Sequence, residues 1–76
     1  MAQIDRITLD PAVVGGKPCI RGLRVTVAMI LGLLSAGRSR FEILEAYPYL
    51  EAADIDQCVA YAAWRMEERE VPLATA

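Results

Sequence analysis

The run VTVAMILGLL at residues 25–34 restricts the fold more than any other part of the chain. It is the longest apolar run, broken only by Thr26 and Gly32, and it falls well short of the ~20 residues needed to cross a bilayer. Thr26 is placed to cap a helix over residues 27–36, with Gly37 at the position just past its end. Val27, Ile30, Leu31 and Leu34 form one stripe, which Met29 and Leu33 widen until only Ala28, Gly32 and Ser35 are small or polar. A helix apolar nearly all round belongs at the centre of a bundle or against a partner. The run therefore predicts a buried helix in a soluble cytoplasmic protein with no membrane contact.

With 76 residues there is room for one core only. We expect a single domain over residues 1–70, opening with a β-like arm at 1–25, and a flexible tail at 71–76. A core of this size rarely leaves more than ~3–5 kcal/mol of net stability, so a further staple is expected. The two cysteines, Cys19 and Cys58, read as buried thiols rather than a disulfide. With no histidine, a four-ligand zinc site lacks its ligands, and neither metal nor cofactor is expected. Self-association as a homodimer is the staple that remains, and the 55% apolar content fits it.

Around the central helix, QIDRITLD alternates weakly and ends at Asp10-Pro11, which predicts a short strand. KPCIRGLRV reads as a second extended piece, because Pro18 biases Lys17 away from helix. The two are expected to pair as a hairpin, with Gly15-Gly16 supplying the freedom for its turn. Ser39-Arg40-Phe41-Glu42 is a capping box that opens a second, short helix with Ile43, Leu44 and Tyr47 inward and Pro48 at its end. A third helix, over 52–68, is expected to face the core with Ile55, Cys58, Val59, Ala62 and Met66, and to carry Tyr61, Trp64 and Glu68 on a flatter edge. The fold class is mainly α: a three-helix bundle, with its second and third helices compatible with a helix-turn-helix, preceded by the β arm.

Charge is divided along the chain. Residues 1–40 hold six basic side chains against two acidic ones, and residues 41–76 hold two against eight, for a net charge of −2. The basic end offers Lys17, Arg21, Arg24, Arg38 and Arg40 to phosphates. At the start of the third helix, Gln57 is the natural base reader and Asp56 would repel phosphate. GGKP is no nucleotide loop, because Lys17 is followed by Pro18 and the first glycine of that motif is missing. Without an imidazole, and with the carboxylates scattered, no catalytic group is assembled and no enzyme is expected. Glu51 and Asp54 read as charges favoured at a helix start.

From Ile7 to Ala63 the chain resembles the domain of unknown function 433 family. The pattern I-x-x-x-P-x-x-x-G-G-K-P-x-I-x-G-T-R-[IV] is followed by a helix, G-x-[ST]-x-x-E-I, Y-P-x-L and an acidic helix ending in Y-A. The resemblance implies a homeodomain-like three-helix fold and an antitoxin-like role opposite a PIN-like ribonuclease toxin, with operator DNA as a further ligand. Two positions depart from the family: Leu23 replaces the usual Thr in the loop, and Glu51 replaces a Thr that commonly caps the third helix. Blockade of such a nuclease would place basic side chains among the carboxylates that gather its metal ions. Arg65, Arg69 and the tail after Pro72 are candidates for that contact, with Tyr61, Trp64 and Met66 as apolar anchors. The competing readings are a stand-alone DNA-binding regulator and a structural dimer.

Overall fold

The computed structural model describes residues 4–68. Two strands, β1 (Ile7–Thr8) and β2 (Cys19–Ile20), precede three helices, α1 (Val27–Ser35), α2 (Arg40–Ala46) and α3 (Ala52–Glu68). The protein is mainly helical, with one short antiparallel sheet at its start. Among the described residues no helix is long and apolar enough to cross a membrane.

The strands pair as expected, with Ile7 opposite Ile20 and Thr8 opposite Cys19. Their connection holds Gly15 and Gly16, as expected. The connection begins at Asp10, whose carbonyl takes the Val13 N–H at 2.9 Å and whose carboxylate takes the Ala12 N–H at 2.9 Å. Val14, Gly15 and Gly16 then coil left-handedly with φ of 47°, 64° and 85°. Gly15 and Gly16 adopt this region freely, whereas Val14, being β-branched, is strained there. A second, tighter turn follows β2 at Arg21-Gly22, with φ of 47° and 74°, where Leu23 donates to the Ile20 carbonyl at 2.8 Å. Two successive positive φ values give the right-handed twist that short hairpin turns require. The chain returns beside β2: Ile20 donates to the Val25 carbonyl at 3.0 Å, and Cys19 bridges to Thr26.

Helix boundaries follow their local signals. Thr26 Oγ1 accepts the Met29 N–H at 3.0 Å and opens α1. At the other end Gly37, with φ of 90°, donates to Leu34 O and Arg38 donates to Leu33 O, each at 3.0 Å. This pair of bonds satisfies the last carbonyls and stops the helix. The capping box of α2 is complete: the Glu42 N–H reaches Ser39 Oγ at 3.1 Å, and the Ser39 N–H reaches Glu42 Oε1 at 2.8 Å. That bond to the Ser39 N–H is the main reason Glu42 has a lowered pKa.

Four of the five elements send one isoleucine to the centre: Ile20 from β2, Ile30 from α1, Ile43 from α2 and Ile55 from α3, all at most 1% exposed. Burying each contributes about 1.5–3 kcal/mol. Leu23, where the family usually has Thr, packs against this cluster. Cys58 is fully buried too. The expected inward stripe of α3 needs correction, since Val59 is 42% exposed and Met66 70% exposed. The 17 residues of α3 span about 25 Å, whereas the nine and seven residues of α1 and α2 span only about 13 and 10 Å. Val59 lies about 100° round the helix from Cys58, at the edge of the buried face, and Met66 lies near the end of α3.

Candidate functional site

Two parts of α3 carry side chains of functional interest. At its first turn sits Asp54, fully buried. Its carboxylate accepts four bonds: from Arg6 Nη1 at 3.0 Å, from Arg21 Nε at 3.1 Å, from Arg21 Nη2 at 3.0 Å and from the Glu51 N–H at 2.8 Å. Arg21 spans both carboxylate oxygens in the forked geometry that only guanidinium offers. Arg21 Nη2 also donates to the Tyr49 carbonyl at 3.0 Å, and Arg6 Nη1 also donates to the Glu51 carboxylate at 2.7 Å.

Electrostatics follow from this geometry. Burial opposes the charged form of Asp54, but Arg21, the Glu51 N–H and Arg6 outweigh it and hold its pKa below the ordinary 3.8. Asp54 in turn raises the pKa of Arg21, and Glu51 with Asp54 raises that of Arg6. The clasp also explains why Arg21 tolerates a left-handed backbone: one bidentate ion pair offsets a strain of the order of 1–3 kcal/mol.

One turn further on, Gln57 completes the attachment. Its Oε1 accepts the Asp5 and Arg6 N–H groups at 3.0 and 2.8 Å, and its Nε2 donates to Asp5 Oδ1 at 2.7 Å. The side-chain amide thus docks the approach to β1 against the helix. Among the described residues no buried side-chain nitrogen or oxygen lacks a partner.

Of the basic and base-reading candidates, three are therefore engaged inside the protein. Arg21 holds Asp54, Gln57 holds residues 5 and 6, and Arg40 forks onto Asp56 Oδ1 through Nε at 3.1 Å and Nη2 at 2.8 Å. Lys17 and Arg24 are exposed and make no side-chain hydrogen bond or ion pair with the described residues. Arg38 is exposed and its charge reaches Glu42. Arg6, not among the sequence candidates, is central to the clasp. Asp54 does more than complement a helix start: it is the buried hub of the arm, and with Arg6 it compensates for the Glu51 cap by accepting that residue's N–H and pairing with its carboxylate.

The far end of α3 is different in kind. Tyr61 and Trp64 lie with ring centroids 5.9 Å apart and planes tilted by 50°. Tyr61 packs on the core, Trp64 is half-buried, and Arg65 and Met66 are exposed. Arg69 and the tail from Pro72 lie outside the described residues. Away from α3, Phe41 on α2 is 70% exposed and Tyr49 54% exposed.

Reactive chemistry is not gathered at either end. Burial, aided by the charge of Asp54, pushes the Cys58 thiol up to about 11, the reverse of what a nucleophilic cysteine needs. Among the described residues no group of three or more His, Cys, Asp or Glu side chains is arranged to hold a metal ion.

Comparison with known proteins agrees with the motif pattern. The chain is 39% identical over 61 residues to the "Uncharacterized protein y4eO" of Sinorhizobium fredii (strain NBRC 101917 / NGR234). That alignment covers 80% of this chain but only 28% of the relative, so the chain spans little more than a quarter of that protein's length. No solved structure matches the chain. Residues 7–62 match the profile of the family described as "Protein of unknown function (DUF433)", and over that span, which holds the arm, the clasp and most of α3, the chain belongs to this family.

Proposed function

We propose that the protein is a non-enzymatic, antitoxin-like binding module of the cytoplasm that captures and blocks a PIN-like ribonuclease. The observation that carries this reading is the division of α3. Its polar first turns are engaged within the fold, while its later turns carry the Tyr61–Trp64 pair and leave Met66 70% exposed. Aromatic and methionine side chains in such a place are the anchors protein partners bury most productively. Arg65 beside them, and Arg69 further on, would bring positive charge to the carboxylates of a nuclease site, where guanidinium competes with metal ions and RNA. Glu67 and Glu70 oppose that contact, which leaves the larger share of the affinity to the apolar anchors.

Co-expression with a PIN-like ribonuclease of the same genome tests the reading. The two chains are expected to co-purify with RNA cleavage suppressed, and Trp64→Ala together with Met66→Asp is expected to release an active nuclease. Separate migration of the chains with cleavage undiminished would overturn it.

A second reading, operator DNA binding through a helix-turn-helix formed by α2 and α3, is favoured by the uncommitted charges of Lys17 and Arg24. With Gln57 and Arg40 engaged elsewhere, the arm rather than α3 would carry the phosphate contacts. Gel-shift titration across salt is expected to show binding that weakens steeply with ionic strength and is lost in the Lys17→Ala, Arg24→Ala double variant. Binding unchanged in that variant would overturn this reading.

A further inference from the structure

α1 is apolar nearly all round, yet within this chain it buries only Val27 and Ile30 completely. Met29 is exposed, Leu31, Leu33 and Leu34 are half-buried, and no residue of α1 is charged. Such a helix is not a stable solvent-facing surface. Gly32, on the exposed side, raises the same question. It has no left-handed backbone to accommodate, and a Cβ there would meet nothing among the described residues within 4 Å. In a helix interior glycine costs about 0.8–1.0 kcal/mol relative to alanine, and nothing among the described residues accounts for it. Close approach of another backbone would.

Met29 lies one turn before Leu33 on the same side of α1, and Leu33 leads into an open groove of about 230 Å³ between α1 and α2. Ile43, Ala46 and Tyr47 supply its apolar lining, and Arg38 and Glu42 bring one charge of each sign to it. A surface with one positive and one negative group beside an apolar floor is complementary to itself when turned about a twofold axis, because each charge then meets its opposite on the other copy. We propose that a second copy of this chain covers this surface, α1 packing on α1 across Gly32 and Met29, with Arg38 of each protomer facing Glu42 of the other. The self-complementary charges single out a second copy over a partner of unrelated sequence. Association also supplies the staple that a core of this size calls for. The surface is separate from the end of α3, so its test does not depend on the nuclease reading.

Sedimentation equilibrium on the lone protein over a range of concentrations tests the proposal. Expected is a monomer–dimer equilibrium whose dissociation constant rises by on the order of tenfold or more in Gly32→Leu and in Arg38→Glu. Helical circular dichroism should be unchanged, since both positions are exposed. Val59→Glu on α3 is expected to leave the dimer intact. A protein monomeric at every concentration, a dimer indifferent to Gly32→Leu and Arg38→Glu, or a dimer dissociated by Val59→Glu would each overturn it.

Discussion

The two ends of α3 use opposite means. At its first turn the arm is held by a buried carboxylate, two guanidiniums and a glutamine amide, with every partner supplied from within the chain. At its last turns Met66 is 70% exposed between the exposed charges of Arg65 and Glu67, and Trp64 is only half-buried. Charged and amide groups in a small protein invite a functional reading, yet here most of them tie the arm down. The residues left for a partner are those that a hydrophobicity pattern assigns to the core. Substitutions at the first turn should therefore cost stability, and substitutions at the last turns should cost binding and little else.

The largest stability loss is expected for Asp54→Ala. It removes the shared partner of two arginines and the acceptor of the Glu51 N–H, a change on the order of 2 kcal/mol, because the arginines left behind reach solvent. A domain of this size has only about 3–5 kcal/mol in total, so the midpoint of urea unfolding should fall by a large fraction. A midpoint within experimental error of the original would erase the distinction between the two ends.

Acid should act on the same group. Because the folded-state pKa of Asp54 lies below its ordinary 3.8, its contribution is fully present above that value and is lost as pH falls through the lower folded-state value. Unfolding free energy should thus decline below about pH 4. In Asp54→Asn the decline should be shallower, leaving Glu42 as the other depressed carboxylate. Parallel pH profiles for the two proteins would remove Asp54 from the account.

Smaller losses should mark the helix starts. Ser39→Ala deletes one half of the capping box and should lower unfolding free energy by about 1 kcal/mol. Met66→Ala is expected to change it least, by no more than about 0.5 kcal/mol, because 70% of that residue is already in water. A Met66→Ala loss as large as that of Ser39→Ala would mean that the end of α3 is packed after all. Cys58 provides a check on burial: in the native protein at pH 8 it should resist alkylation by iodoacetamide, and react once urea unfolds the chain.

What the sequence makes legible here is local. The Ser39–Glu42 box, the stop at Gly37, the cap at Thr26 and the span of α3 all depend on residues within a few positions of one another. The strand pairing also follows, because alternation and Pro18 mark two extended pieces. The clasp does not, since Arg6 and Arg21 lie 48 and 33 residues from Asp54 and no periodicity links them. Gly15-Gly16 marks the β1–β2 connection, whereas the Arg21-Gly22 turn after β2 has no such local signal, because a distant ion pair supports its strained arginine. Val59 and Met66 fit a helical stripe, but a stripe does not reveal which of its positions a neighbour covers.

A double-mutant cycle between Arg21 and Asp54 tests the central claim most directly. Unfolding free energies of the original protein, Arg21→Ala, Asp54→Ala and the double variant should give a coupling of about 1 kcal/mol or more, as expected of partners in one hydrogen-bonded network. Losses that add to within about 0.5 kcal/mol would contradict the claim that this ion pair holds the arm to α3, and would return Arg21 to the surface charges available for a ligand.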